Sequence, residues 1–167
     1  MCPGGAMSFN MKAADLDAYL GKPIAKICDR GYHPDAENHC AHFVSHALGI
    51  TIGTLCGDMN YATRHTGATI RVNELYNGLR SRGPWDNRPP GTDGLLIFVT
   101  DANRNMINNR MGQGPQKHVG ICYMGKIWNY SNGRHAVVRD ASVESFHLKF
   151  KRTYHGTSIS LYFGEVP

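Results

Sequence analysis

The sequence predicts an α+β domain: helix-period segments fill its first half, strand-like runs fill its second, and its length suits one compact core. A chain of 167 residues buries roughly 70% of its unfolded surface as one domain. The whole chain, 1–167, is therefore read as a single domain, with residues 1–12 as a flexible N-terminal segment.

The elements follow in order. Asp15–Leu20 and Pro23–Cys28 read as helical, separated at Gly21-Lys22-Pro23, with Pro23 suited to a first helical turn. Asp29 to Asn38 is a polar loop containing Gly31-Tyr32-His33-Pro34. His39 to Leu48 is a short apolar-periodic stretch that Gly49 closes as a helix stop. Over Ile70–Arg80 the residues Val72, Leu75, Tyr76 and Leu79 stand at helical core spacing. The period then changes. Leu95-Leu96-Ile97-Phe98-Val99 is a buried strand by length and composition, and Asp101 to Lys117 is a long polar loop. His118–Met124 and Ile127–Tyr130 form a hairpin turning at Gly125-Lys126, and Ala136–Arg139 and Ser158–Phe163 add two strands.

Composition narrows the function classes. Hydrophobic residues make up 41% and charged residues 19%, ordinary for a folded domain. No apolar run approaches the roughly 18–20 residues of a membrane helix, so no membrane insertion is expected. The first residues have neither the basic start nor the apolar core of a secretory signal, so the chain is expected to be made in a cytoplasm. The net charge of +5 favours an anionic partner. Nucleic acid is not expected, because the basic residues are scattered and no Lys/Arg run stands beside stacking aromatics. Five cysteines, widely spaced and without a Cys-x-x-Cys pair, indicate neither a disulfide scaffold nor a zinc ribbon.

One constellation carries chemistry. Cys40 stands where a loop becomes a helix, in Asn38-His39-Cys40-Ala41-His42-Phe43-Val44. A thiol there feels the positive end of the helix dipole and unpaired backbone N–H groups, which favour thiolate and could bind a developing oxyanion. A nucleophilic thiol needs a base, and the base needs a third group to hold it. His118 opens a strand directly after the long loop, and Asn129 lies on the next strand of the hairpin. Cys-His-Asn is a known form of the triad. Asp140, which ends the following strand, and Glu144 are alternative acidic partners, although Asp140 is read first as a surface-turn residue.

Three segments resemble, in order, the NlpC/P60 family and the related CHAP amidases, papain-like cysteine hydrolases of bacterial cell-wall peptides. His39 through Gly49 looks like the family's nucleophile helix. Pro90-Gly91 to Asp93 with Leu95-Leu96-Ile97-Phe98 resembles its Pro-Gly-Asp segment and first core strand. His118-Val119-Gly120-Ile121 through Ser131 resembles its catalytic hairpin. The resemblance implies a papain-like fold with N-terminal helices on an antiparallel sheet, a catalytic Cys40–His118–Asn129 triad, and substrate contacts near Tyr32, His39 and Ala41. It implies peptidoglycan stem peptides or cross-links as substrate, acting in the periplasm or wall after delivery. A type VI secretion amidase or a phage lysin fits, the former with an immunity protein as partner. The sequence departs from the family where Asp-Cys-Ser-Gly is replaced by His39-Cys40-Ala41-His42, which changes the substrate groove. An acyltransferase or thiol hydrolase on another substrate, and a non-catalytic binding module of the same shape, are the alternatives.

Nine histidines invite a metal reading. His42 and His46, one helical turn apart, could share an ion, but at 100° per residue they lie opposite Cys40. They are read as solvated or core-edge residues, and no metal or cofactor is expected. Trp128 and Tyr130 alternate about Asn129 and are read as core.

Overall fold

The computed structural model describes residues 9–167. It is an α+β fold in which a six-stranded antiparallel sheet separates two hydrophobic cores. The helices are α1 (Ala13–Asp17), α2 (Cys40–Leu48), α3 (Val72–Gly78), α4 (Ala102–Asn105) and α5 (Val143–Thr153). The strands are β1 (Arg82–Pro84), β2 (Leu95–Asp101), β3 (Met106–Ile107), β4 (Arg110–Met111), β5 (Lys117–Tyr123), β6 (Lys126–Ser131), β7 (Ala136–Asp140) and β8 (Ile159–Gly164). The main sheet has the order β1-β8-β2-β5-β6-β7, and β3 pairs with β4 in a separate small hairpin.

Alternation along the strands assigns the two faces. Leu96, Phe98, Val119, Ile121, Trp128 and Tyr130 point into the larger core with Cys40, Phe43 and Val44 of α2. Leu95, Ile97, Val99 and Ile127 point the other way, onto Phe146 and Phe150 of α5. Each such side chain stabilises the fold by about 1.5–3 kcal/mol on full burial. Trp128 and Tyr130 are core, and their polar ends are satisfied there. Trp128 Nε1 donates to Asp17 Oδ1 (3.0 Å), and the Tyr130 hydroxyl accepts from the Ile24 amide (3.2 Å).

Local chemistry accounts for the element ends. Gly49 closes α2 in the left-handed conformation, φ 68°, which a residue without Cβ adopts freely. The β5–β6 turn falls at Met124-Gly125, one residue earlier than the sequence suggests. Both residues have positive φ, as a two-residue type I′ connection demands. Helix α1 is displaced toward the N-terminus, and Pro23–Cys28 contains only a single 3₁₀ turn, Ile24–Lys26. Between them the Gly21 amide is diverted to Val137 O (3.0 Å), which stops the chain from continuing one helix.

Two stretches differ from expectation more strongly. The polar Asp101–Lys117 segment holds α4 and the β3–β4 hairpin, nucleated by Asp101 Oδ1 accepting from the Asn103 amide (2.9 Å). The segment after β7 forms α5. There Ser142 and Ser145 exchange side-chain-to-amide hydrogen bonds at 3.0 and 3.1 Å, a capping box, and Phe146 and Phe150 stand one turn apart on the buried face.

At the N-terminus, Phe9 packs on Tyr123 with ring centroids 5.0 Å apart. The remainder of the segment read as flexible, residues 1–8, lies outside the described residues and takes Cys2 with it. Among the described residues no helix is long and apolar enough to cross a membrane.

Gly120 pairs with Asn129 where β5 first meets β6. A Cβ there would lie 2.6 Å from Ile127 Cγ2 and 3.0 Å from Trp128 O. Backbone cannot yield as a flexible side chain does, so Gly120→Ala is expected to destabilise by about 1–3 kcal/mol. Urea unfolding should show a lower midpoint at unchanged slope.

Candidate active site

Cys40 occupies the first turn of α2 and is fully buried. The pairing of β5 with β2 runs from Lys117, whereas its pairing with β6 starts only at Gly120↔Asn129. The first residues of β5 are thus unpaired on the β6 side, and the end of α2 fills that gap. Cys40 Sγ accepts hydrogen bonds from the amides of Val119 and Ala41 and from the Asn38 side chain, all favouring thiolate. Burial outweighs them and pushes the thiol up to about 11. The Cys40 amide itself donates to Asn38 Oδ1 (3.0 Å), so that N–H is engaged rather than open to an oxyanion.

His118, next to Val119 on β5, is buried on the other face of the sheet with its ring 4.5 Å from Phe150. A chain of hydrogen bonds determines its protonation pattern. Lys149 Nζ and Asn129 Nδ2 both donate to Asp140 Oδ2, at 2.6 and 2.8 Å. A carboxylate oxygen only accepts, so the Asn129 amide must turn its NH₂ toward Asp140 and its Oδ1 toward His118. His118 Nε2, 2.9 Å from that Oδ1, must then be the N–H. The lone pair is left on Nδ1, the nitrogen a general base needs free. Burial lowers the imidazole to about 4, although the Asn129 bond acts against the shift.

The structure thus brings His118, Asn129 and Asp140 into one line, and it places Cys40 against the backbone neighbour of His118. Asn129 is the direct partner of the imidazole, and Asp140 acts on it through the amide rather than standing in a surface turn. Of the residues expected to touch substrate, only Tyr32 lines a cleft, one from which Asn38 separates the buried Cys40. This cleft, of ≈ 600 Å³, is walled by Tyr32, Asn38, Ile70, Arg71, Gln116 and Lys117. Its Gln113–Lys117 wall is the end of the Asp101–Lys117 segment. His39 and Ala41 are buried and do not line it. Both His39 ring nitrogens are spent internally, on Pro34 O (2.9 Å) and His42 Nδ1 (3.1 Å).

Sequence reasoning missed Asn38, Lys149 and Phe150. Asn38 links the site together, its Nδ2 donating to Lys117 O (3.3 Å) and its Oδ1 accepting also from Asn132 (2.8 Å). Asn-x-Cys at a helix start is a readable capping signal. Lys149 and Phe150 belong to α5, whose Ser142 cap and Phe146/Phe150 spacing were the available signals. Among the described residues one group of side chains could hold a metal ion, Cys28, His42, His46 and Cys56, behind α2.

Two measurements check the hydrogen-bond chain. Nitrogen NMR of labelled histidines should show His118 as the Nε2–H tautomer at neutral pH. In Asp140→Asn the Asn129 amide is free to turn over, so mixed tautomers are expected; an unchanged pure Nε2–H form would contradict the relay. The second is acid stability. Between the folded value of about 4 and the ordinary 6.5, the unfolded chain binds a proton at His118 that the folded chain does not. The His118 contribution is complete above 6.5 and is lost as the pH falls toward 4, by roughly 3 kcal/mol. His118→Gln should flatten that part of the pH dependence of unfolding.

Compared with known proteins, the sequence matches no family model and no curated protein, so the chemistry of this site rests on its own geometry.

Proposed function

We propose that the protein is a papain-like cysteine hydrolase that cleaves amide bonds by acyl transfer, with Cys40 as nucleophile and His118 as general base. The observation that carries this reading is the Lys149–Asp140–Asn129–His118 chain. It holds the lone pair on Nδ1 of a histidine whose neighbouring amide binds the Cys40 thiol.

In this mechanism Cys40 and His118, which rest on opposite sides of the start of β5, first come together, and the Cys40 proton then passes to Nδ1 as sulfur attacks the substrate carbonyl. The imidazolium, stabilised by Asn129, then returns the proton to the leaving amine as the C–N bond breaks. Water, deprotonated by Nδ1, attacks the thioester and releases the acid and the thiol. Opening of the cleft toward Cys40 must precede attack, because the thiol is fully buried at rest.

The sequence likeness to NlpC/P60 and CHAP enzymes points to peptidoglycan stem peptides or cross-links as substrate. The net charge of +5, with Arg71 and Lys117 outnumbering Glu37 on the cleft wall, suits an anionic wall polymer. Under this reading the enzyme works in the periplasm or wall after delivery, as a type VI effector with an immunity protein or as a phage lysin. The complete burial of Cys40 favours one second reading, a binding module that keeps the papain-like shape without turnover.

Digestion of purified peptidoglycan, with products resolved by mass spectrometry, separates the two. Wild type should release defined muropeptides, Cys40→Ala none, and His118→Ala about 10²–10⁴-fold fewer per unit time. If wild type binds peptidoglycan without cleaving it, and Cys40 resists alkylation in that complex as well, the binding module is correct. Silence with a readily alkylated Cys40 would retain the thiol chemistry and remove the wall as substrate.

A further inference from the structure

We propose that Cys28, His42, His46 and Cys56 bind one zinc ion, in a structural site that clamps the N-terminal segment and the loop after α2 onto the back of that helix. The ligand atoms of these four side chains all lie within 4.8 Å of one another. A tetrahedral zinc ion with Zn–S of about 2.3 Å and Zn–N of about 2.0–2.1 Å sets S···S near ~3.8 Å and S···N near ~3.6 Å. Cys28 Sγ and Cys56 Sγ are 3.8 Å apart, and Cys56 Sγ and His46 Nε2 are 3.6 Å apart. The side chains already stand at the edges of the polyhedron that the ion requires.

The second observation is an orphaned nitrogen. His42 is fully buried, and its Nε2 has no hydrogen-bond partner. Its tautomer is dictated from behind. Pro34 O only accepts, so His39 Nε2 (2.9 Å) carries a proton and His39 Nδ1 a lone pair. His42 Nδ1, 3.1 Å from that lone pair, must therefore be the N–H. The bare lone pair on His42 Nε2 is left buried among the two cysteines and His46. A metal ligand needs this state, and without a metal the nitrogen forfeits a hydrogen bond.

The two sulfurs are prepared in the same way. Cys28 Sγ accepts the Arg30 amide (3.4 Å), and Cys56 Sγ accepts the Ala68 amide (3.3 Å), partners suited to thiolates. Two thiolates and two neutral imidazoles neutralise Zn²⁺, so the buried site carries no net charge. Four protein ligands close the coordination shell, which marks a structural rather than a catalytic ion. The backbone is built around Cys56 as well. A Cβ on Gly67 would lie 2.3 Å from its Sγ, and Gly67 has φ +97°.

The ligands come from three separate stretches of chain: the turn after Ile24–Lys26, helix α2, and the 3₁₀ turn Cys56–Met59. A clamp there would hold the loop between α2 and α3, which pairs with no strand of the main sheet. His42 and His46 lie on the opposite side of α2 from Cys40, so the ion would brace the helix without entering the reaction.

The test uses the full chain purified without chelator. Elemental analysis should find one zinc per chain, and cobalt(II) exchange should give the thiolate charge-transfer and tetrahedral ligand-field bands of an S₂N₂ site. Cys56→Ser and His42→Gln should reduce zinc content and cobalt absorption to background, while Cys122→Ser leaves both unchanged. His39→Ala removes the group that orients His42 and should weaken zinc affinity by about 10–100-fold with the cobalt spectrum retained. If the ligand variants do not fold, cobalt titration of the metal-stripped wild type still decides, through the same bands at one equivalent. A folded wild-type chain that takes up neither metal, or a Cys28–Cys56 disulfide in the non-reduced peptide map, would overturn the proposal.

Discussion

Helix α2 is buried along most of its length yet carries Cys40, His42, Ser45 and His46. In a low-dielectric interior such groups are tolerated only in the protonation state for which the fold supplies partners. Around Cys40 the partners are amides of Val119 and Ala41 and the Asn38 side chain, and they do not offset desolvation. The thiol is therefore held neutral, as is the imidazole of His118 across the end of the sheet. Much else in the structure, from the splayed start of β5 to the capped loop at Asn38, serves to seat this one helix.

Two hydrogen-bond chains of the same logic flank it. In each, an oxygen that can only accept stands at the outer end: the Asp140 carboxylate in one, the Pro34 carbonyl in the other. Each passes its polarity through one intermediate side chain, Asn129 or His39, to a histidine. Each delivers a lone pair at a chosen nitrogen, Nδ1 of His118 and Nε2 of His42. Buried histidines tend to settle in whichever tautomer local bonding allows, so an acceptor at the end of the line is a simple way to specify it.

The parts of this arrangement legible in the sequence were those with short-range signals. The run from His39 to Leu48 with Gly49 behind it announces α2, and the apolar run at Leu95 announces the central strand. The hairpin alternation places Asn129 on the same face as His118 and turns Trp128 and Tyr130 away from it. Helix α5 is masked in the sequence because Asp140-Ala141-Ser142 has the composition of a turn, although Ser142 there caps a helix. With α5 went Lys149 and Phe150. Asp140 looked like a turn residue because its partners, Asn129 and Lys149, come from two other elements. The cysteine-histidine cluster escaped for a similar reason. Metal spacing rules are local, whereas Cys28 and Cys56 meet only after the chain folds around both sides of α2, which leaves His42 buried rather than at the solvated core edge.

Under the proposed hydrolase reading, the resting site also implies where its reactivity must come from. With the thiol near 11 and the imidazole near 4, moving the proton from sulfur to Nδ1 is uphill by roughly 10 kcal/mol before the new charges attract each other. Opposite charges a few ångströms apart in an interior recover several kcal/mol of that, and oxyanion donors a further share once sulfur has bonded to carbon. Under the proposed mechanism, a closed, neutral pair is thus inert toward adventitious electrophiles and becomes competent only when a substrate opens the cleft and sulfur attack accompanies proton transfer. Asn38 is placed to couple the two events. Its side chain holds the Cys40 amide and thiol on one side and lines the cleft on the other. In that mechanism, a ligand that drew Asn38 toward the cleft would release the Cys40 N–H as it uncovered the sulfur.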